Sequence, residues 1–228
     1  MDSNSQLTWS SSIREELDFW RRWLTEDQFK ADRDSRFNHN GLGIPEDLLT
    51  EIKSGDLHLL DVGSGPFSTL GRNHPRFNVE LILADPLGDA YNSLIAELEL
   101  ANHSKIINVS AEELTTKFAH NSFDIVHSAN ALDHAYDPLL CIQNMLKICK
   151  PGGWVYIISV EDEGERQNYT GLHQWNFALV GDKVRLWNKS DSIMLHENLN
   201  YANEFHAKTI DHGNSLPMFE LLIKKDQP

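Results

Sequence analysis

A chain of 228 residues with 34 acidic and 20 basic side chains carries a formal net charge of −14. That charge repels phosphate backbones and anionic membranes, and no Lys/Arg cluster offsets it, so nucleic acids and membrane insertion are not expected. The length suits one large α/β domain, or one domain with an extension, and 40% hydrophobic with 24% charged residues is ordinary for a globular protein with a full core.

The polar start, Met1 to Ser12, lacks the apolar core of a signal peptide, and residues 1 to about 9 read as disordered. Ser12 and Glu15 then match a capping box, S-x-x-E. Ile13, Leu17, Trp20 and Leu24 recur at helical spacing, which predicts a helix. With Phe19, Trp23 and Phe29 it forms an aromatic cap on the domain edge, or a lid over a ligand. The polar run Lys30 to Gly43 reads as loop. Pro45, followed by Glu46 and Asp47, opens a short helix to about Lys53, and Gly55 ends it.

From Leu57 strands and helices alternate. Strands are predicted at Leu57–Val62, Val79–Ala84, Lys105–Val109, Phe123–Ser128 and Trp154–Ser159, with helices clearest at Asp89–Leu100 and Pro138–Lys150. Such alternation implies a parallel sheet wound on both faces. Asp137 is a natural N-cap for the helix from Pro138, whose inward stripe is Leu139, Ile142, Leu146 and Cys149; Pro151-Gly152-Gly153 stops it. Cys141 and Cys149, eight residues apart on one helix, cannot bridge, so reduced buried thiols and a cytoplasmic location are expected. The longest apolar runs, such as Trp154 to Val160, are too short to span a bilayer. Beyond Val160 the rhythm breaks. Glu161 to Thr170 is a polar loop, Asn176–Val180 and Lys183–Trp187 flank Gly181-Asp182 as a hairpin, and Phe205–Ile210 and Met218–Lys224 read as two more strands.

The most informative segment is Leu59-Leu60-Asp61-Val62-Gly63-Ser64-Gly65-Pro66-Phe67, a buried strand that ends in a glycine-rich turn. Glycines let a backbone turn tightly and approach a ligand, and a strand's C-terminal end in an α/β sheet is where nucleotide-like ligands bind. A dinucleotide fingerprint would need glycine where Ser68 stands, and no lysine follows as a P-loop requires. Apolar-apolar-Asp-apolar-Gly-x-Gly instead resembles motif I of the class I S-adenosylmethionine (SAM)-dependent methyltransferases; the plain alternative is a structural turn. Leu81 to Pro86 is a second strand ending in an acid, and Asp85 lies 20 residues after Gly65. A carboxylate there accepts ribose hydroxyls, a feature SAM shares with NAD; otherwise Asp85-Pro86 only starts a turn.

The resemblance continues downstream. Methyltransferases similar to this chain often carry Asp-Ala-Glu where it has Ser110-Ala111-Glu112, so the adenine contact falls to Ser110 or the backbone of Ala111, while Glu112 and Glu113 also suit a helix start. Asn121 to His134 looks like the fourth-strand motif of small-molecule methyltransferases, and Asp137-Pro138 and Lys150-Pro151-Gly152-Gly153 complete it. The resemblance implies a Rossmann-like α/β fold with a seven-stranded, mostly parallel sheet and helices on both faces. Residues 1–43 would be an N-terminal helical extension and 44–228 the SAM-binding domain, with a β-hairpin insertion at about 161–200. It further implies SAM as cofactor, S-adenosylhomocysteine as product, and contacts from Asp61, Gly63, Ser64, Gly65, Asp85, Pro86, Ser110, Ala111, Glu112, Ser128 and Asn130. Arg33 or Arg36, upstream of the core, is a partner for the methionine carboxylate.

Methyl transfer to oxygen or nitrogen requires loss of a proton, and a positioned base contributes roughly 10²–10⁴-fold. His134, just past the fourth strand, is the first candidate, and Asp133 is a second or orients a histidine. An imidazole at a helix end that only bonds backbone is the alternative. Gly171-Leu172-His173-Gln174-Trp175-Asn176-Phe177 adds His173, an amide and aromatics in the insertion, a mixture suited to a polar acceptor such as a sugar. It weakly resembles a block in methyltransferases of bacterial surface glycan synthesis; Trp175 and Phe177 also suit a buried structural role. No His-Glu-x-x-His and no Cys/His set at zinc spacing occurs, so no metal is expected. No Asn/Asp-Pro-Pro-Tyr block follows the fourth strand, which argues against methylation of nucleic-acid bases. The expected function is methyl transfer to a small polar metabolite or glycan precursor, at oxygen. A non-catalytic SAM-binding protein and an NAD-dependent oxidoreductase are the competing readings.

Overall fold

The computed structural model describes residues 3–37, 41–53, 55–100, 104–200, 202–210 and 216–226. In chain order its strands are β1 (Gly55–Val62), β2 (Asn73–His74), β3 (Phe77–Asp85), β4 (Ile106–Asn108), β5 (Phe123–Ala129), β6 (Cys149–Val160), β7 (Asn176–Val180), β8 (Lys183–Trp187), β9 (Ser192–Met194), β10 (Ala202–Ile210) and β11 (Met218–Lys225). The main sheet runs β10-β11-β6-β5-β1-β3-β2, with β4 also paired to β3. β1, β3, β4, β5 and β6 are mutually parallel, and β11 is antiparallel to both β6 and β10. The seven expected strands are all present. The eighth, β2, is a two-residue ribbon antiparallel to the start of β3.

Strands buried on both faces read as continuous apolar runs. Along β1, Leu57 and Leu59 pack to one side with Tyr91, Ile95 and Leu49, and Leu60 and Val62 to the other with Ile142, Met145 and Phe219. The first side is covered by α3 (Gly88–Glu97) and residues 42–49, and the second by the short α4 (Leu114–Lys117) and α5 (Pro138–Ile148). The Asp137 carboxylate caps α5 by accepting the Leu140 N–H at 3.0 Å. Cys149 heads β6 and does not end α5, because the chain straightens at Ile148; both thiols are free and buried. β7, β8 and β9 form a separate antiparallel sheet. Phe177, Val184 and Leu186 lay it beside α5 against Phe219 and Leu221.

The N-terminal segment differs from expectation. α1 spans Ser3–Thr25, so the helix begins well before Ser12, and only residues 1 and 2 of the expected disordered start lie outside the described residues. No Gly or Pro interrupts 3–25; Ser12 sits inside the helix and is buried, not a cap. The expected loop from Lys30 holds α2 (Lys30–Phe37). Its polar residues are organised by contacts with the end of α1 and the turn after it. Trp23 Nε1 donates to Asp32 at 2.8 Å, and Arg33 donates to the carbonyls of Trp23 and Glu26 at 2.5 and 3.2 Å. The Arg36 guanidinium lies over the Trp20 and Trp23 rings at 5.6 and 5.2 Å. After Pro45 there is a single 3₁₀ turn, Glu46–Leu49, and not a helix to Lys53. Among the described residues no helix is long and apolar enough to cross a membrane.

Candidate active site

The ends of β1 and β3 are tied together by the glycine turn. The Gly63 and Ser64 N–H groups donate to Ala84 O at 2.8 and 3.2 Å, and the Gly65 N–H donates to Asp85 Oδ2 at 3.0 Å. Gly63 and Gly65 have φ of +68° and +60°, a region that costs other residues about 1–2 kcal/mol. A Cβ on Gly65 would also lie 2.8 Å from the Trp20 ring, so α1 sits directly on this turn. Asp61, one residue before Val62, is buried between His127 Nδ1 at 2.8 Å and the Ser68 hydroxyl at 2.5 Å. Ser68 in turn accepts the Leu70 N–H at 2.9 Å. Serine therefore stands at the third-glycine position because it bolts the turn to Asp61.

Above the turn lies a cavity of about 590 Å³, a size typical of small-ligand sites. Gly63, Ser64, Gly65, Asp61 and Asp85 form its floor, α1 contributes Ser12, Glu16 and Trp20, and Ala129, Asn130 and Ala131 follow β5. Its far wall carries Asp133, His134, Glu163, Gln167 and residues 170–173. A smaller cavity of about 50 Å³ shares Gly63, Ala131 and His134 with it and is lined by Pro86, Ser110, Ala111 and Glu112. On the far wall three side chains converge from segments 39 and 40 residues apart. His173 Nδ1 lies 2.7 Å from Asp133 Oδ2 and 3.0 Å from His134 Nε2. The Gln174 and Trp175 N–H groups donate to Asp133 O at 3.1 and 3.3 Å, which clamps the two segments together.

Residues 60–157 match the methyltransferase domain family. An uncharacterized methyltransferase of Schizosaccharomyces pombe is 31% identical over 116 residues, which are 47% of this chain and 41% of that protein. Over residues 60–157 the chain is thus similar to the SAM-dependent methyltransferases. The match spans about two fifths of the yeast methyltransferase's own length. A solved SAM-dependent methyltransferase of Thermotoga maritima, a "possible histamine N-methyltransferase", aligns over 96% of this chain and 100% of its own, at 14% identity and a TM-score of 0.53. The N-methyltransferase NodS from Bradyrhizobium japonicum covers 89% and 99% at 12% identity and a TM-score of 0.50. At these identities the likeness is one of fold.

SAM is the cofactor of this methyltransferase family, and the cavity has the size and donor set to receive it. Asp85 accepts N–H groups from Gly65 and Leu87 at 3.0 and 2.8 Å, one on each oxygen, and each oxygen keeps a lone pair for a ribose hydroxyl. Burial pushes its carboxyl up to about 7, against the pull of those two donors. Of the residues expected at the cofactor, Asp61, Gly63, Ser64, Gly65, Asp85, Asn130 and Arg36 line the large cavity, and Pro86, Ser110, Ala111 and Glu112 the small one. The Glu112 carboxylate is already engaged by the Tyr136 and Asp137 N–H groups at 2.9 and 3.2 Å, and burial raises it. Ser128 and Arg33 lie outside both linings. Ser128 is buried in β5, and Arg33 is spent on main-chain carbonyls.

The histidine cluster is strongly polarised. Burial works to raise the Asp133 carboxyl, but the charge of His134 and the hydrogen bond of His173 outweigh it and hold it below the usual range. Burial likewise works to lower His173, and its hydrogen bond and attraction to Asp133 raise it. The expected acceptor segment, Gly171 to Phe177, lines the cavity only in part. Residues 170–173 line the cavity. Gln174 instead braces the loop through Tyr169 O and Gly171 O, and Asn176 and Phe177 are buried at the start of β7 in the small sheet. Sequence reasoning also missed Glu16, whose carboxylate accepts Trp20 Nε1 at 2.7 Å at the cavity wall; its helical spacing from the aromatic residues was the available signal.

Proposed function

We propose that this chain transfers a methyl group from SAM to an oxygen of a small polar acceptor, a metabolite or glycan precursor. The observation that carries this reading is that the glycine turn, Asp85 and the Asp133–His134–His173 cluster all face one cavity. Bound SAM supplies an electrophilic methyl on a sulfonium. Asp85 holds the ribose hydroxyls, the turn and Arg36 hold the methionine end, and Pro86, Ser110 and Ala111 enclose the adenine. Holding the two reactants in line supplies much of the rate. His134 or His173 takes the acceptor's proton, and Asp133 orients the His173 ring.

Transfer to an amine nitrogen is a second reading, favoured by the cavity's charge. Glu15, Glu16, Asp32 and Glu163 line it, and Arg36 is the Lys/Arg side chain among its lining residues. A labelled-methyl assay against a panel of sugars, hydroxy acids and amines tests both. Label on a hydroxyl compound supports the first reading and label on an amine the second. Intact SAM binding without transfer to any panel member favours a binding protein that keeps the fold.

A further inference from the structure

We propose that Asp133, His134 and His173 form a binding site for a divalent transition-metal ion at the acceptor end of the cavity. Asp133 Oδ2, His134 Nε2 and His173 Nδ1 form a closed triangle with edges of 2.7, 3.0 and 3.5 Å. One ring nitrogen carries one proton or one lone pair, yet His173 Nδ1 stands within hydrogen-bond distance of both other atoms. A single ion bonded to all three resolves that competition. At metal–nitrogen distances of about 2.1 Å, ligand atoms stand about 3.0 Å apart at right angles and about 3.4 Å apart in a tetrahedron. The observed edges span those values.

The surroundings suit a reactive site better than a structural one. Asp133 is 3% exposed in its side chain, while His134 and His173 are 20% and 29% exposed and border the cavity. Three protein ligands with an open side toward a cavity are the pattern of catalytic metal sites, whereas structural sites close all four positions. Two imidazoles and one carboxylate select zinc, iron, cobalt or nickel over magnesium and calcium, which prefer oxygen ligands. The clamp from Gln174 and Trp175 to Asp133 O fixes the two ligand-bearing segments relative to each other. The site's use rests on the methyl-transfer reading. An acceptor hydroxyl bound to the ion would give its proton to solvent water and keep the O–H electron pair on oxygen; its attack on the SAM methyl forms the O–C bond as the S–C bond breaks and S-adenosylhomocysteine leaves. Without the ion the two imidazoles are free to take that proton themselves.

The test is titration of untagged, chelator-treated protein with Co²⁺, followed by calorimetry and visible absorption. One equivalent is expected to bind with ligand-field bands and to be displaced by Zn²⁺. Loss of an outer-shell partner costs about 10–100-fold in metal affinity, so His134→Ala and His173→Ala are each expected to weaken binding at least about 100-fold. Melting curves check that both variants fold. X-ray absorption on the wild-type Co²⁺ complex provides a check that needs no variant, with two imidazole ligands expected. Absence of stoichiometric binding of Co²⁺ and Zn²⁺ to the wild type would overturn the site. Binding retained by both variants, or a coordination shell without imidazole, would do the same. SAM titration of the metal-free protein is a separate readout. Its failure would count against the methyl-transfer reading and leave the metal result standing.

Discussion

Asp85 is both the proposed ribose anchor and a carboxyl held up to about 7 by burial, so cofactor binding and protonation must be linked. A ribose hydroxyl donates best to the ionised group, and each hydrogen bond to a charged acceptor contributes about 1.5–3 kcal/mol. Asp85→Ala is therefore expected to weaken S-adenosylhomocysteine binding about tenfold or more. In the wild type, a carboxyl titrating near 7 is about ten-elevenths protonated at pH 6. Affinity at pH 6 is then expected to be about tenfold below its plateau above pH 8, with one proton released per ligand bound. The stability effect in the free protein has the opposite sense. The folded value is raised above the ordinary 3.8, so this group's contribution is full below that value and is lost as pH rises toward 7. Calorimetry at pH 6, 7 and 8, in buffers of different ionisation enthalpy, measures both affinity and proton release. Asp85→Asn should abolish the pH dependence. A pH-independent wild-type affinity together with unchanged binding by Asp85→Ala would refute the assignment.

Further variants test the same geometry. Gly65→Ala places a Cβ at φ +60° and 2.8 Å from the Trp20 ring, and should cost about 2–4 kcal/mol in urea unfolding; in a Trp20→Ala background the same change should cost only the roughly 1–2 kcal/mol of the positive φ. Arg33→Ala should lower the melting temperature without changing SAM affinity, because its donors serve carbonyls. Arg36→Ala should instead weaken SAM about tenfold, the weight of one charged hydrogen bond. With an acceptor in hand, His134→Ala and His173→Ala should each lower turnover roughly 10²-fold while calorimetric SAM affinity stays near wild type; near-normal turnover in both would remove the histidines from the chemistry.

The parallel core was readable because strands buried on both faces are written as near-continuous apolar runs, as in Leu81–Ala84 and Trp154–Ile158. The hairpin bounds at Asn176–Val180 and Lys183–Trp187 coincide with the structure, since Gly181-Asp182 marks the turn. α2 was not readable. Its residues are polar, and it is held by Trp20, Trp23 and Glu26 of the preceding segment through side-chain contacts that hydrophobic periodicity does not encode. The start of α1 was misplaced because Ser12 and Glu15 imitate a cap inside a continuing helix. At the site, the motif acids Asp61 and Glu112 were visible as types, but not their engagement by His127, Ser68 and main-chain N–H groups. The meeting of Asp133 and His173 depends on a clamp between segments 40 residues apart, which no linear spacing encodes.

The most direct test is a crystal structure with S-adenosylhomocysteine. The account predicts the ligand in the large cavity, its ribose on Asp85, its adenine toward Pro86 and Ser110, and its sulfur facing His134 and His173. A ligand seated elsewhere, or with its sulfur turned away from those histidines, would contradict the account.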